Sequence, residues 1–375
     1  MSARGRQRRP GAAWSRAHWL TFGTAGAFVV FVGLYLWAVY TAPPSRFEDP
    51  GLEAAVRSAL ELEGRGFAAP ELERITELDA SERGITTLSG IEQLSNLAVI
   101  DLRGNRVQDL SPLSSLSRLR ELSLRDNDMV DLSAANLALL AELPALRVLN
   151  LRHNRGPSHP ERPDVRHRLS DISVLAEFTQ LESLDLADNE VSDVTAIAGL
   201  TRLRSLSLRD NPLDLENLVV LSGLTQLEYL NLRNTGLRDL SGVQEFRNLG
   251  HLDLRGNSDL SSIVPLASLP RLHTLVLRDV PVAQDVHVLE SLPSLLWLDL
   301  RNAGVADLMP LARRMEQGAL QDDASQGRFA YVDIRENPVH AQGAADGYQV
   351  LEPFWDNIAM RSPQTLPPPM GGGSP

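Results

Sequence analysis

The feature that most constrains this chain is a spacing. The pattern LxxLxLxxN returns in phase, with units starting at Ile75, Leu97, Leu119, Leu146, Leu181, Leu203, Leu227, Leu249, Leu272, Leu295 and Phe329. Neighbouring starts such as Leu97 and Leu119 lie 22 residues apart, too few for two long elements. Side chains alternate along a strand, so the leucines at positions 4 and 6 of a unit point to one side. Those at positions 1, 11, 14, 17 and 20 turn the rest of the coil inward. One unit cannot bury these groups alone, and stacking against identical neighbours does so. Each buried leucine contributes roughly 1.5–3 kcal/mol. The period therefore predicts an α/β solenoid of stacked coils, with a parallel sheet on one side and short 3₁₀ or helical turns on the return.

Position 9 is asparagine at Asn105, Asn127, Asn154, Asn189, Asn211, Asn257 and Asn337. A short amide there satisfies buried backbone groups where the chain leaves the strand, and losing such a partner costs about 1–3 kcal/mol. Arg83, Thr235, Val280 and Ala303 interrupt the series, which predicts locally looser coils. On the return, "DLSPL" at 109–113 and "DVTAI" at 193–197 suit single helical turns.

The N-terminus has a different character. Arg4, Arg6, Arg8, Arg9 and Arg16 precede "WLTFGTAGAFVVFVGLYLWAVY", residues 19–40, which carries no charge. At about 1.5 Å per residue this run matches a hydrocarbon core of about 30 Å. Trp19, Tyr35, Trp37 and Tyr40 lie towards its ends, where amphipathic rings favour the interface. The positive-inside rule then places residues 1–18 as a basic cytoplasmic tail, and the repeats outside the cytoplasm. A cleaved signal peptide is the competing reading, but its apolar region is usually about 7–15 residues, and "YTA" before Pro43 is a poor cleavage site. The expected organisation is a tail (1–18), a transmembrane helix (19–40), a linker (41–46), a helical N-terminal cap (47–74), the repeats (75–339), a C-terminal cap (340–360) and a disordered Pro/Gly-rich tail (361–375). The expected location is a bacterial cell membrane, single-pass, with the repeat domain in the periplasm or at the cell surface.

The unit "LxxLxLxxNxxxDLSPLxxLxx" resembles the leucine-rich repeat of bacterial internalin-type proteins. Upstream, "FEDPGLEAAVRSALELEGRGFAAPELERITELDASERGITTLSGIEQLSNL", residues 47–97, is similar to the helical cap that opens many bacterial repeat arrays. The resemblance covers about 47–339. It implies a curved solenoid that binds a protein or glycan through its concave sheet, and it brings no catalytic residues. The chain departs from surface-anchored members in having no LPxTG motif and no cysteine for a lipid.

The outward columns carry the candidate function. Position 7 is arginine at Arg103, Arg125, Arg152, Arg209, Arg233, Arg255, Arg278, Arg301 and Arg335, interrupted by Ser81 and Ala187. Position 5 runs Asp79, Asp101, Ser123, Asn150, Asp185, Ser207, Asn231, Asp253, Val276, Asp299 and Asp333. Two readings stay open. An aspartate column beside an arginine column is a self-neutralising surface ladder, each exposed pair contributing about 0–1 kcal/mol, with arginine stems covering apolar surface. Alternatively the guanidiniums recognise carboxylate, sulfate or phosphate groups in bidentate fashion. The second gains weight from Asn231 to Val276, where acids thin out. Position 3 turns aromatic in the C-terminal half, at Tyr229, His251, Trp297 and Tyr331, and Tyr, Trp and Arg are enriched in binding hot spots. The candidate face is therefore Tyr229, Arg233, His251, Arg255, Arg278, Trp297, Arg301, Tyr331 and Arg335. A protein partner is expected there; a glycan or cell-wall ligand on the same patch is the alternative.

Other chemistry finds little support. The insertion "RGPSHPERPDVRHR", 155–168, brings His159 and His167 near His153, but the spacing fits no ligand pattern, so no metal is assigned. The second insertion, 317–327, reads as a flexible loop. The absence of cysteine and lysine removes thiolate and lysine catalysis, and no GxSxG, HExxH or phosphate-cradling loop occurs. No enzyme activity and no cofactor are expected. Net charge is −12, and about −17 without residues 1–18, which disfavours nucleic acid.

Overall fold

A computed structural model describes residues 47–62, 69–127, 134–153, 168–214, 218–322, 329–338 and 351–354. The tail, the apolar run 19–40, the linker, most of the first insertion and residues 361–375 lie outside these. Among the described residues no helix is long and apolar enough to cross a membrane.

Eleven three-residue strands form one parallel sheet in sequential order, from β1 (Glu77–Asp79), β2 (Val99–Asp101), β3 (Glu121–Ser123) and β4 (Val148–Asn150) through β5 (Ser183–Asp185), β6 (Ser205–Ser207), β7 (Tyr229–Asn231) and β8 (His251–Asp253) to β9 (Thr274–Val276), β10 (Trp297–Asp299) and β11 (Tyr331–Asp333). The register keeps each repeat position in line: Leu78 lies opposite Ile100, and Leu298 opposite Val332. Hydrogen-bonded strands stand about 4.8 Å apart, the tightest spacing a coil offers, so the sheet forms the concave side. The returns are 3₁₀ turns such as Ser111–Ser115, Thr195–Ile197 and Val264–Ser268. Two longer coils have room for i→i+4 bonds, and there α3 (Ala134–Ala141) and α4 (Met309–Glu316) replace the 3₁₀ turn. The inward positions are shut from solvent along the stack, from Leu78 and Ile100 to Leu298 and Val332.

The asparagine ladder behaves as the spacing demands. Asn211 Nδ2 donates to the carbonyls of Leu186 (2.8 Å) and Leu208 (2.9 Å), while its Oδ1 accepts from Val191 N (3.0 Å). Asn105, Asn189, Asn257 and Asn337 repeat these bonds. The looseness expected at the breaks is not found. Thr235 Oγ1 donates to Leu232 O (2.8 Å), and Val280 and Ala303 are fully buried. Asn257 and Asn337 of the following coils accept the amides at Thr235 and Ala303. Arg83 is exposed, but its amide bonds Asn105 Oδ1 (3.1 Å).

Both ends of the core are covered. α1 (Pro50–Ala59) buries Leu52, Ala55 and Val56, and α2 (Ala69–Leu72) buries Leu72. Asp49 caps α1 by accepting from Gly51 N and Leu52 N, and its other oxygen accepts from Thr86 N (2.8 Å), tying the cap to the first coil. At the far end Leu351 is buried in the core and Phe354 packs against it. One inward position is misread by the period. Phe329, the nominal start of the eleventh unit, is 59 % exposed. The longer tenth coil brings buried Leu320 to the same edge instead, its amide bonding Leu295 O (2.8 Å).

Asn211→Ala strands an amide and two carbonyls in the core. It is expected to lower stability by at least about 2 kcal/mol in urea unfolding, whereas exposed Ser114→Ala changes little. The Asp49 carboxyl lies below its ordinary 3.8: burial raises it, but the amides of Thr86, Leu52, Gly51 and Thr87 outweigh burial. A depressed acid contributes stability above its unfolded value and loses it as pH falls through the folded value. Asp49→Ala should therefore lower the melting temperature at pH 7 and much less at pH 3.

Candidate functional site

Each strand delivers positions 3 and 5 to the concave face and position 7 follows two residues past its end, so the three positions form columns. Position 5 is first a turn device. Asp101, Asn150, Asp185, Asn231, Asp253, Asp299 and Asp333 each accept the amide two residues ahead at 2.9–3.1 Å. This is an Asx turn that ends the strand, so the aspartates are there for the backbone before any arginine.

The next position was not singled out from the sequence. Position 8 is left-handed, with positive φ at Glu82, Gly104, Asp126, Asp188, Asp210, Asn234, Gly256, Asp279, Asn302 and Glu336. Glycine, asparagine and aspartate tolerate this conformation best, and their recurrence one residue before the asparagine was the available signal. Acids chosen for φ also face the arginines. Asp188 holds Arg152 (2.8 Å) and Arg209 (2.7 Å), filling the gap left by Ala187. Asp126 pairs with Arg125 (3.1 Å), and Glu336 with Arg301.

The nine candidate residues all fall on coils 7 to 11, and the columns bring them together, but their environments differ. Tyr229 stacks on His251 (centroids 4.5 Å apart, planes 20° apart), and Trp297 on Tyr331 (3.9 Å, 14°). Thr274 separates the two pairs. Tyr331 is only 7 % exposed; it backs Trp297 rather than offering an open ring, and its hydroxyl bonds Asp333 (3.2 Å). Arg335 grips Asp333 with Nε (2.9 Å) and Nη2 (2.5 Å). Arg278 meets buried Asp299 at 2.7 Å, and Arg255 reaches the same oxygen at 3.7 Å. Arg233 differs from these: among the described residues its guanidinium has neither ion pair nor hydrogen bond, and its Nε is buried without a partner. Most of the arginine column is thus the self-neutralised ladder; among the described residues its unpaired guanidinium is Arg233, on coil 7.

Burial sets the titration of the face. It pushes the Asp185 and Asp253 carboxyls and the Tyr229 hydroxyl up. Asp333 is also pushed up by burial, but the bonds from Arg335 outweigh this and leave it low. Among the described residues no group of three histidine or acidic side chains could hold a metal; His159 and His167 lie outside them.

Comparison with known proteins agrees with this geometry. A family profile described as Leucine Rich repeats (2 copies) matches residues 179–219. An internalin (inlF) of Listeria monocytogenes superposes with TM-score 0.58 at 25% identity, covering 79% of this chain and 86% of that one. The internalin C2 of the same species gives 0.50 at 28% identity, covering 61% and 93%. A leucine-rich-repeat protein of Leptospira interrogans shares the fold, with TM-score 0.52, 19% identity and coverage of 72% and 74%. No curated protein matches. The chain is a leucine-rich-repeat solenoid. More narrowly, it is similar in repeat and fold to bacterial internalins.

Burial and the charge of His273 hold His251 down at about 4. A depressed histidine costs the folded state stability as pH falls from about 6.5 towards 4. Imidazole NMR of the folded protein should show His251 neutral down to about pH 4. Titration near 6.5 would mean that the Tyr229–His251 stack is open to water.

Proposed function

We propose that this protein is a membrane-anchored, extracytoplasmic module that binds a protein partner through the concave face of coils 7 to 11, in an adhesive or scaffolding role. The observation that carries the reading is the coincidence of two stacked aromatic pairs with the arginine column on one face. Aromatic and arginine side chains supply most of the energy in protein interfaces. Much of the face is also held rigidly: strands fix the backbone, Asx turns end it, and buried Asp299 and Asp333 fix the guanidiniums of Arg278 and Arg335. Little side-chain entropy is then left to lose on association. For the anchor, the support is the uncharged run 19–40 behind five arginines. It puts the repeats on the far side of the membrane from the basic tail.

The stacks also bear on the glycan alternative. A sugar packs on an open ring face, but Trp297 and Tyr331 turn their faces on each other at 3.9 Å. The stack covers one face of each ring, which leaves less open aromatic surface for a sugar than separate rings would.

Trp297→Ala should weaken binding of an envelope protein captured by the full chain by about tenfold or more, the range of a hot-spot truncation, with the melting profile retained. Undiminished binding by a folded variant would move the interface elsewhere. Survival of the captured ligand after protease treatment would favour the glycan.

A further inference from the structure

The protein-binding reading leaves open what chemistry the partner presents, and the charges on the face narrow it. We infer that Arg233 receives a single carboxylate of the partner protein, an Asp or Glu side chain, with Arg255 beside it and the Tyr229–His251 stack as the wall of the subsite. The inference rests on the concave-face reading and specifies its ligand.

The geometry is a local failure of the neutralisation found along the rest of the sheet. Elsewhere position 8 often supplies an acid: Asp188 and Asp210 at Arg209, Asp126 at Arg125, Glu336 at Arg301. At coils 7 and 8 that position is Asn234 and then Gly256, with the same left-handed backbone and no charge. Position 5 of coil 7 is likewise neutral: Asn231 makes the Asx turn that aspartate makes elsewhere (3.0 Å to Arg233 N). The turn chemistry is therefore kept while the counterions are removed. Asp210, the acid of the preceding coil, accepts from Asn234 (2.7 Å) and meets Arg209 (3.5 Å). Asp253 lies within electrostatic range but not in ion-pair contact, and its Oδ1 accepts the Arg255 amide (2.9 Å). Arg233 is left with a buried Nε that has no acceptor, and Arg255 and Arg278 have the same unfilled Nε. A buried donor without an acceptor destabilises the free protein, so an incoming oxygen at Nε removes a standing penalty as well as adding a charge-assisted bond.

The excess is about one charge: Arg233, Arg255 and Arg278 face two acids, Asp299, which Arg255 and Arg278 share, and Asp253, within electrostatic range of Arg233 and Arg255. One carboxylate satisfies it. A polyanionic glycan carries charge along its length and would set further anions against Asp185, Asp253 and Asp333. The Tyr229–His251 stack stands half-buried at position 3 of the same two coils, and the Tyr229 hydroxyl reaches position 5, where it accepts from Asn231 (3.3 Å).

The test selects binders to the full chain from a displayed random peptide library, then measures affinities of the corresponding synthetic peptides. The inference expects a shared Asp or Glu whose replacement by Asn or Gln weakens binding to wild type by about tenfold or more. The same replacement should matter little in Arg233→Gln. Arg233→Lys, which retains the charge, should recover part of the loss, and Arg103→Gln should have no effect; the melting profiles of all variants report folding. Binders that need Trp297 but share no acid, or that bind Arg233→Gln as tightly as wild type, overturn the carboxylate subsite and leave the protein-binding reading standing. Binders indifferent to Trp297→Ala, or no enrichment at all, overturn that reading and this inference together. Saturable heparin binding abolished in Arg233→Gln assigns the subsite to an acidic glycan and also overturns it.

Discussion

The structure depends on one amide per coil. At each strand exit the chain turns into the core side of the stack, where its backbone groups have no water. The position-9 asparagine donates twice and accepts once or twice there, across two coils. A hydrophobic side chain would fill the space and leave the backbone polar groups unmatched, a cost that would recur at every coil. The leucines make stacking favourable; the asparagine makes it geometrically permissible. Where it is replaced, at Thr235 or Ala303, the next coil's amide serves both. A one-dimensional array tolerates such gaps because each coil is braced from both sides.

Much of the architecture was legible because it follows from periods. In the second coil the alternation of Ile100 and Leu102 fixes a strand, and the distance to Val107, Leu110 and Leu113 fixes the return. The proline in "SPL" marks the 3₁₀ turn at Ser111–Ser115. The misreading at Phe329 has the same origin. Period reading assumes a constant path, and α4 with the turn at Leu320 alters the path before the eleventh strand.

The face was legible by column but not by charge state. Which side chains point outward follows from alternation alone, so the nine residues fall together as expected. Whether an arginine is free depends on a neighbour some twenty residues away, such as Asp188 for Arg209 or Asp299 for Arg278. It also depends on a backbone conformation that the leucine pattern does not mention. Position 8 is filled for its φ, and its acids become counterions as a by-product. The shift of emphasis from the coils around Tyr331 to those around Tyr229 follows from that position.

Cross-coil pairing has a consequence for how such arrays can change. The counterion of Arg278 belongs to the next coil, through Asp299, and Asp188 serves the coils on either side of its own. A coil is a nearly interchangeable part in its leucines but not in its charges. Loss or duplication of one unit would leave the hydrophobic stack continuous. It would also re-pair the guanidiniums on both flanks, giving a new recognition surface without any change in a contacting residue.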